Sequence, residues 1–291
     1  MKIILSRKGF DSGSGGVPSP IFPDGRLLSL PIPDKSSKIT YKHLSGNSWA
    51  TVAELIADLK AHRANHAGLK PDDGAHLDPD VEQTRLPRKA GWRPLFGQVD
   101  SAQSHLENHG VGRGDLFLFF GLFRRVEKVD GHWRYQRSQQ KEHVIWGWFQ
   151  IDEIIDLQKR RPEWNWARSH PHFSLTARTK NTLYVAKRTL KLPVLTKCDL
   201  PGAGTFPKVL PDLQLTSPGS EQVSRWLLPK WFHPSGRKSV LTYHRNPSRW
   251  ETTRCGTVLS TVGRGQEFVL DCNDYPEALN WLAHLVERCS H

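Results

Sequence analysis

Apolar positions along this chain recur in two rhythms. After Thr51, the residues Val52, Leu55, Ile56 and Leu59 fall at helical spacing. Thr51 and Glu54 form a capping-box pair in front of them, so a helix opens there, and Gly68 is its expected stop. A second helix is predicted over 100–109, ending at Gly110. A third starts at Asp274, Pro276 and Glu277, with an N-cap, a first-turn proline and a capping acid, and carries Leu279, Leu282, Ala283 and Val286 on one face. Elsewhere the apolar residues run continuously. "DLFLFFGLF" over 115–123 reads as a central strand buried on both faces. Asp130-Gly131 is a hairpin turn signal, which makes 133–137 the return strand and 143–151 a further apolar strand. Shorter strands are expected over 2–5, 181–186 and 267–270, with an edge strand over 26–32 closed by prolines. Strands outnumber helices, and the helices are scattered between them. That pattern is α+β, with a mixed curved or barrel-like sheet and a C-terminal helix.

With 291 residues, 37% of them hydrophobic, the chain is long enough for a substantial core. It reads as one domain over 1–291, and the Pro/Gly/Ser-rich stretch 202–219 is the place for any internal boundary. No run of 18 apolar residues occurs, so no membrane span is expected, and the opening "MKIIL" is a strand start rather than a signal peptide. Cys198, Cys255, Cys272 and Cys289 include no C-x-x-C pair, which argues against structural zinc and for a reducing cytoplasm. The formal net charge of +12 favours polyanionic partners, DNA or a nucleotide, through release of counterions from phosphates. The sequence leaves the oligomeric state open.

Four places could carry chemistry. In "SRKGFDSGSGGVPSP", glycines let backbone N–H groups face an anion while Arg7 and Lys8 add charge, so Arg7, Lys8, Ser12, Ser14 and Gly15 are phosphate-binding candidates. No G-K-S/T follows, and Pro18 and Pro20 exclude a Rossmann turn. In "HLDPD", His76 and Asp78 form an H-x-D pair. With a distant histidine, from among His105, His109, His143, His170 and His172, it would make the facial triad of an Fe or Mn centre, and Arg178 could hold an acidic cosubstrate. His105 and His109 lie four apart on the second helix, and His105 is taken as the third ligand. Fourteen histidines make chance H-x-D pairs easy, so a solvated polar face is the competing reading. Finally, eight basic residues and one acid lie between Arg225 and Arg264, interleaved with tryptophans. Arg225, Lys230, Trp231, Arg237, Lys238, Arg245 and Arg249 are expected to contact nucleic acid, with cations on phosphates and rings on unpaired bases. The competing reading has the tryptophans filling the core. No G-x-S-x-G elbow and no evident Cys–His pair support hydrolase chemistry.

The order "GDLFLFF", hairpin, "HVIWGWFQI" resembles the middle of small barrels of the PUA, ASCH and EVE kind. More of the chain resembles another family. The opening "MKIILSRKGFDSGSGGVPSPIFPDGRLLSLPIP", then "HLDPD", "SHLENHGVGRGDLFLFFGLFR", "HVIWGWFQI", "HPHF" and "NTLYVA", are similar to the nucleotide modification associated domain proteins of the third family, from Met1 to about Val286. The resemblance implies a setting in bacterial or phage DNA modification: making, reading or processing modified nucleotides. It implies no particular reaction. Arg7, Lys8, Asp11, His76, Asp78, His105, Asp115 and Arg124 lie inside the matching motifs, which adds Arg124 to the phosphate candidates. On this reading Asp11, Lys8 and Asp78 are the catalytic candidates of a metal-dependent enzyme. The rivals are a non-catalytic reader of modified DNA that flips a base into a PUA-like pocket and, ranked last, a defence nuclease or toxin.

Overall fold

A computed structural model describes residues 1–11, 13–46, 51–61, 69–195, 199–263 and 267–289. Ser12, Gly68, Cys198 and Arg264, singled out above, lie outside the described residues. The strands are β1 (Lys2–Arg7), β2 (Ser19–Ile21), β3 (Ile32–Pro33), β4 (Ala75–His76), β5 (Leu95–Val99), β6 (Leu116–Val129), β7 (His132–Tyr135), β8 (Glu142–Asp156), β9 (Asn181–Ala186), β10 (Ala203–Thr205), β11 (Arg225–Leu228), β12 (Trp250–Thr252), β13 (Thr257–Ser260) and β14 (Glu267–Asp271). The α-helices are α1 (Val52–Lys60), α2 (Asp100–Asn108) and α3 (Glu277–Cys289).

The fold is α+β. Nine strands form one mixed sheet along the path β14-β1-β6-β8-β9-β5, with β10 on β8 and with β2 and β7 on β6. β1 runs parallel to β6 and antiparallel to β14. β6 explains its own sequence. Phe117 and Phe119 point to one face and meet Phe96 of β5, with ring centroids at 4.9 and 5.2 Å. Phe120 points to the other face, against Trp226 at 5.0 Å and Phe268 at 6.1 Å. Burial on both faces is why the run is continuous rather than alternating. The Asp130-Gly131 turn has positive φ at both residues (51° and 84°), as a tight hairpin twisted to match its strands requires.

Register shifts at Phe119/Phe120 and Ile151/Glu153 bend the sheet. The curvature stops short of a closed barrel. The end strands β14 and β5 share no backbone pairing, and the side chain of Gln98 donates instead to Glu267 across the gap. Glu267 also accepts from Ser6 Oγ and Lys8 Nζ, each at 3.0 Å. Burial raises its pKa, against the pull of Lys8, and its Oε2 has no hydrogen-bond partner among the described residues. The capping box at Thr51 and Glu54 forms, and α1 starts at Val52. The 202–219 stretch lies on the sheet: β10 pairs with β8, and Leu213 and Leu215 enter the main core. The 26–32 segment makes isolated bridges at Arg26 and Leu27 and reaches strand geometry only in β3. Strands β2, β4, β5, β10, β11, β12 and β13 have no counterpart in the elements expected from the sequence. Among the described residues no helix is long and apolar enough to cross a membrane.

Candidate metal centre and its cleft

β4 pairs with β3 through Ile32 and His76, and a tight turn in which the Asp78 N–H donates to the His76 carbonyl at 2.8 Å brings the two side chains together. The turn Pro171–Phe173, capped by His170, brings His172 against them. Nε2 of His172 lies 3.3 Å from Asp78 Oδ2, and Nε2 of His76 lies 3.8 Å from the same oxygen. One ligand-type atom from each of these three residues lies within 4.8 Å of the others, and no second such group occurs among the described residues. Around one ion about 2.1 Å from each ligand, adjacent ligand atoms would be about 3.0 Å apart in octahedral and about 3.4 Å in tetrahedral geometry. The His172–Asp78 spacing falls in that range, and the His76–Asp78 spacing is a few tenths of an ångström longer.

The surroundings assign the tautomers. Asn181 donates its amide N–H groups to the carbonyls of His172 and Leu175 (2.9 and 3.0 Å), so its Oδ1 is an acceptor. His172 Nδ1, 2.7 Å from that oxygen, must therefore carry the proton, and its Nε2 lone pair is free. His76 Nδ1 lies 2.7 Å from Asp34 Oδ2, a carboxylate that can only accept, which frees the His76 Nε2 in the same way once the ring is neutral. Asp34 is itself held by the N–H and hydroxyl of Ser36. Asp78 presents Oδ2 to the two imidazoles while Oδ1 accepts from the Gly97 N–H at 2.8 Å. The His170 Nε2 is 3.4 Å from the same Oδ1. His170 Nδ1 accepts from the His172 N–H, so its Nε2 bears a proton and its ring acts as a support. Ligands fixed by partners of this kind are how proteins build metal sites.

Charge points the same way. Burial disfavours the Asp78 anion, yet the imidazoles of His170, His172 and His76 around it hold its pKa well below the usual range. Burial lowers the pKa of His172. Burial works against His76 too, but the bonds to Asp34 and Asp78 outweigh it and raise its pKa to about 9. In the absence of metal a proton therefore sits on His76 between two carboxylates. A divalent cation at this position would replace that proton and would be balanced by Asp34 and Asp78.

Gly97 of β5 makes the ring packing possible. A Cβ there would stand 2.2 Å from the His172 ring. Gly97→Ala is therefore expected to weaken metal affinity about 10- to 100-fold and to cost about 1–3 kcal/mol through overpacking. Metal titration and thermal unfolding of the variant read both. A variant that binds metal like the unaltered chain would show that Gly97 does not hold the ring.

The three candidate ligands open into a cleft of about 500 Å³ that is also lined by Arg7, Lys8, Asp11, Ser14, Asp34 and Arg178. The glycine loop is folded on itself. The Gly13 and Ser14 N–H groups donate to Asp11 Oδ1 at 2.7 Å, and the other carboxylate oxygen of Asp11 lies 3.6 Å from Arg7. The anion that this loop cradles is thus its own Asp11. A Cβ on Gly15, whose φ is +84°, would strike the Phe10 ring at 2.3 Å, so that glycine serves packing. Lys8 lies 3.0 Å from Glu267 and over the Phe96 ring. Arg7, whose Nε is buried without a hydrogen-bond partner among the described residues, and Arg178, 3.1 Å from Asp100, are the guanidinium groups that face the cleft.

The remaining candidates lie elsewhere. His105 is outside the ligand cluster, with its Nε2 3.1 Å from Thr242 Oγ1. Arg124 clips the Gln136 and Gln139 carbonyls. Arg225 pairs with Glu251, Arg237 with Glu277, and Arg249 with the Ser260 carbonyl. Trp231 packs between Phe232 and Trp281, and Lys230 beside it is exposed. Lys238 and Arg245 line a separate groove. Asp34 and Gly97 had no sequence signal, and Asn181 was visible only as the first residue of a strand.

Fold and cleft together define a basic α+β protein with a metal-ligand-type cluster beneath cationic walls. The chain belongs to the nucleotide modification associated domain 3 family, whose model matches residues 2–271. No curated protein and no solved structure matches it.

Proposed function

We propose that this chain is an enzyme that modifies a nucleotide or a nucleic-acid base at a single divalent transition metal held by His76, Asp78 and His172. The observation that carries the reading is the hydrogen-bond set that fixes both imidazoles with Nε2 turned toward Asp78 Oδ2. Two imidazoles and one carboxylate are the ligand set of non-haem iron centres that keep positions open, and they also suit manganese. Arg7 and Arg178 supply guanidinium groups for a phosphate, or for the carboxylate of a cosubstrate, in the same cleft. The family setting in nucleotide modification supports a nucleotide there. A reader of modified DNA would need no such ligand set.

Cobalt(II) loading tests this reading. Its visible absorption reports the coordination sphere. The expected result is near-stoichiometric uptake at this centre and a spectral change on adding nucleoside monophosphates or a short oligonucleotide. Stoichiometric cobalt with a spectrum that none of them alters would sink the nucleotide reading. Failure to bind any divalent metal would sink the enzyme reading.

A further inference from the structure

At the other end of β1 from the metal cleft lies a groove of about 670 Å³ whose lining includes Lys2, His105, Tyr243, Lys238 and Arg245. Tyr243 is 47% exposed, the most exposed of the large hydrophobic side chains among the described residues. Its φ is 68°, a left-handed conformation that a bulky residue adopts only at a cost. Burial of the ring does not offset that cost, because about half of it faces water. What the conformation does achieve is a platform. The Tyr243 ring stacks on His105 with centroids 4.4 Å apart and planes 24° apart, and His105 rests on His109 at 4.2 Å. Thr242 fixes His105 from below. Burial and the neighbouring His109 lower the His105 pKa to about 4, so the platform is uncharged at neutral pH.

The cations around the platform are available. No acidic side chain pairs with Lys238 or Arg245 among the described residues, in contrast to Arg225 and Arg237. Lys2 spends one of three donors on the Gly110 carbonyl. The acid in the lining, Asp271, accepts from the Asn273 N–H. An aromatic face beside unpaired cations is the recognition chemistry of single-stranded nucleic acid, where every base has a stackable face and phosphates follow at regular intervals. A duplex keeps its bases stacked inside and offers none to Tyr243.

We propose that this groove binds single-stranded nucleic acid, with one base stacked on Tyr243 and the flanking phosphates on Lys238 and Arg245. β1 leads from Lys2 at the groove to Arg7 and Lys8 at the cleft, about 20 Å of strand. A ligand occupying both is a chain of several nucleotides, so the groove makes the substrate a polymer. That last step rests on the nucleotide reading of the cleft, whereas binding in the groove does not.

Fluorescence anisotropy with a labelled oligothymidylate of about ten nucleotides, over a range of salt, tests the proposal. Tyr243→Gly removes the ring while suiting the left-handed backbone, so it should bind about tenfold more weakly with no drop in melting temperature. Tyr243→Phe keeps the ring and should bind like the unaltered protein. The Lys238→Ala/Arg245→Ala double variant should lower the slope of log affinity against log salt by about 1.4. Unchanged affinity in Tyr243→Gly, or a duplex competing as well as the single strand, overturns the groove. So does loss of oligonucleotide binding in Asp78→Asn alone, which would move the contact to the cleft. If these results hold while the cobalt spectrum stays silent to nucleotides, the groove stands and the reading of the cleft falls.

Discussion

His172→Ala and Asp78→Asn, purified without chelator or metal-affinity resin, should carry only traces of metal, while the unaltered chain carries close to one equivalent of iron or manganese. Each variant removes one of three ligand atoms that lie within 4.8 Å of one another. The expected loss in affinity exceeds the roughly 10- to 100-fold cost of deleting a supporting partner. Asp34→Asn should fall within that smaller range, because it removes the carboxylate that orients His76 but leaves all three ligand atoms. His105→Ala should keep its full metal content, since His105 is bonded to Thr242 outside the cluster. Elemental analysis of the four variants separates these outcomes. Metal retained in His172→Ala and Asp78→Asn, or lost in His105→Ala, would reject the assigned ligands.

The metal-free protein should be most stable near pH 6.5 and should weaken on both sides. On the acid side the cause is His143 and His244, both buried. Burial, with Arg7 adding to it, lowers the His143 pKa to about 3, and burial lowers that of His244 to about 4. His143 Nδ1 accepts from the Trp226 indole at 3.0 Å, which only a neutral ring can do. Below the unfolded value of about 6.5 the unfolded chain binds these protons and the folded chain does not, so stability rises with pH across that window and is lost as pH falls. Two such groups amount to on the order of 3 kcal/mol between pH 6.5 and 5, a large share of the roughly 5–15 kcal/mol of an ordinary domain. On the alkaline side the sign reverses at His76. Its folded pKa, near 9, lies above the unfolded one, so its contribution is complete below pH 6.5 and is lost as pH rises toward 9. Thermal unfolding from pH 5 to 9 in chelator measures both limbs. His143→Gln, whose amide oxygen can still accept from Trp226, should reduce the acid slope by one such group's share, the rest staying with His244, His105 and His172. A melting temperature that stays flat from pH 6.5 to 5 would refute the account.

Much of the scaffold was legible along the chain because its signals are local. The Thr51–Glu54 cap, the Asp130-Gly131 turn and the continuous apolar run of β6 each arise from residues a few positions apart. β5 was not legible. "LFGQV" is five residues with a glycine at its centre, which shows no period, and that glycine has meaning only because the His172 ring lies on it.

The metal site divides in the same way. An H-x-D pair on one extended segment can be read from spacing, so His76 and Asp78 stood out. Five distant histidines were equivalent as the third ligand, and His105, the one taken, lies elsewhere. Asn181, at the start of β9, orients His172, and the His170 cap holds the turn, and both act only once β9 has paired with β5 and β8. Charge tells a similar story. Composition set the sign of the surface, while packing decided that Lys8 would face Glu267, that Arg225 and Arg237 would be neutralised, and that Lys238 and Arg245 would stay open beside Tyr243. Sequence alone determined the elements and the chemical repertoire, because helix caps, turns and strands draw their energy from neighbours along the chain. Which side chains share a site was decided only by the tertiary structure, because that energy comes from contacts between segments far apart in sequence and exists only once they are packed.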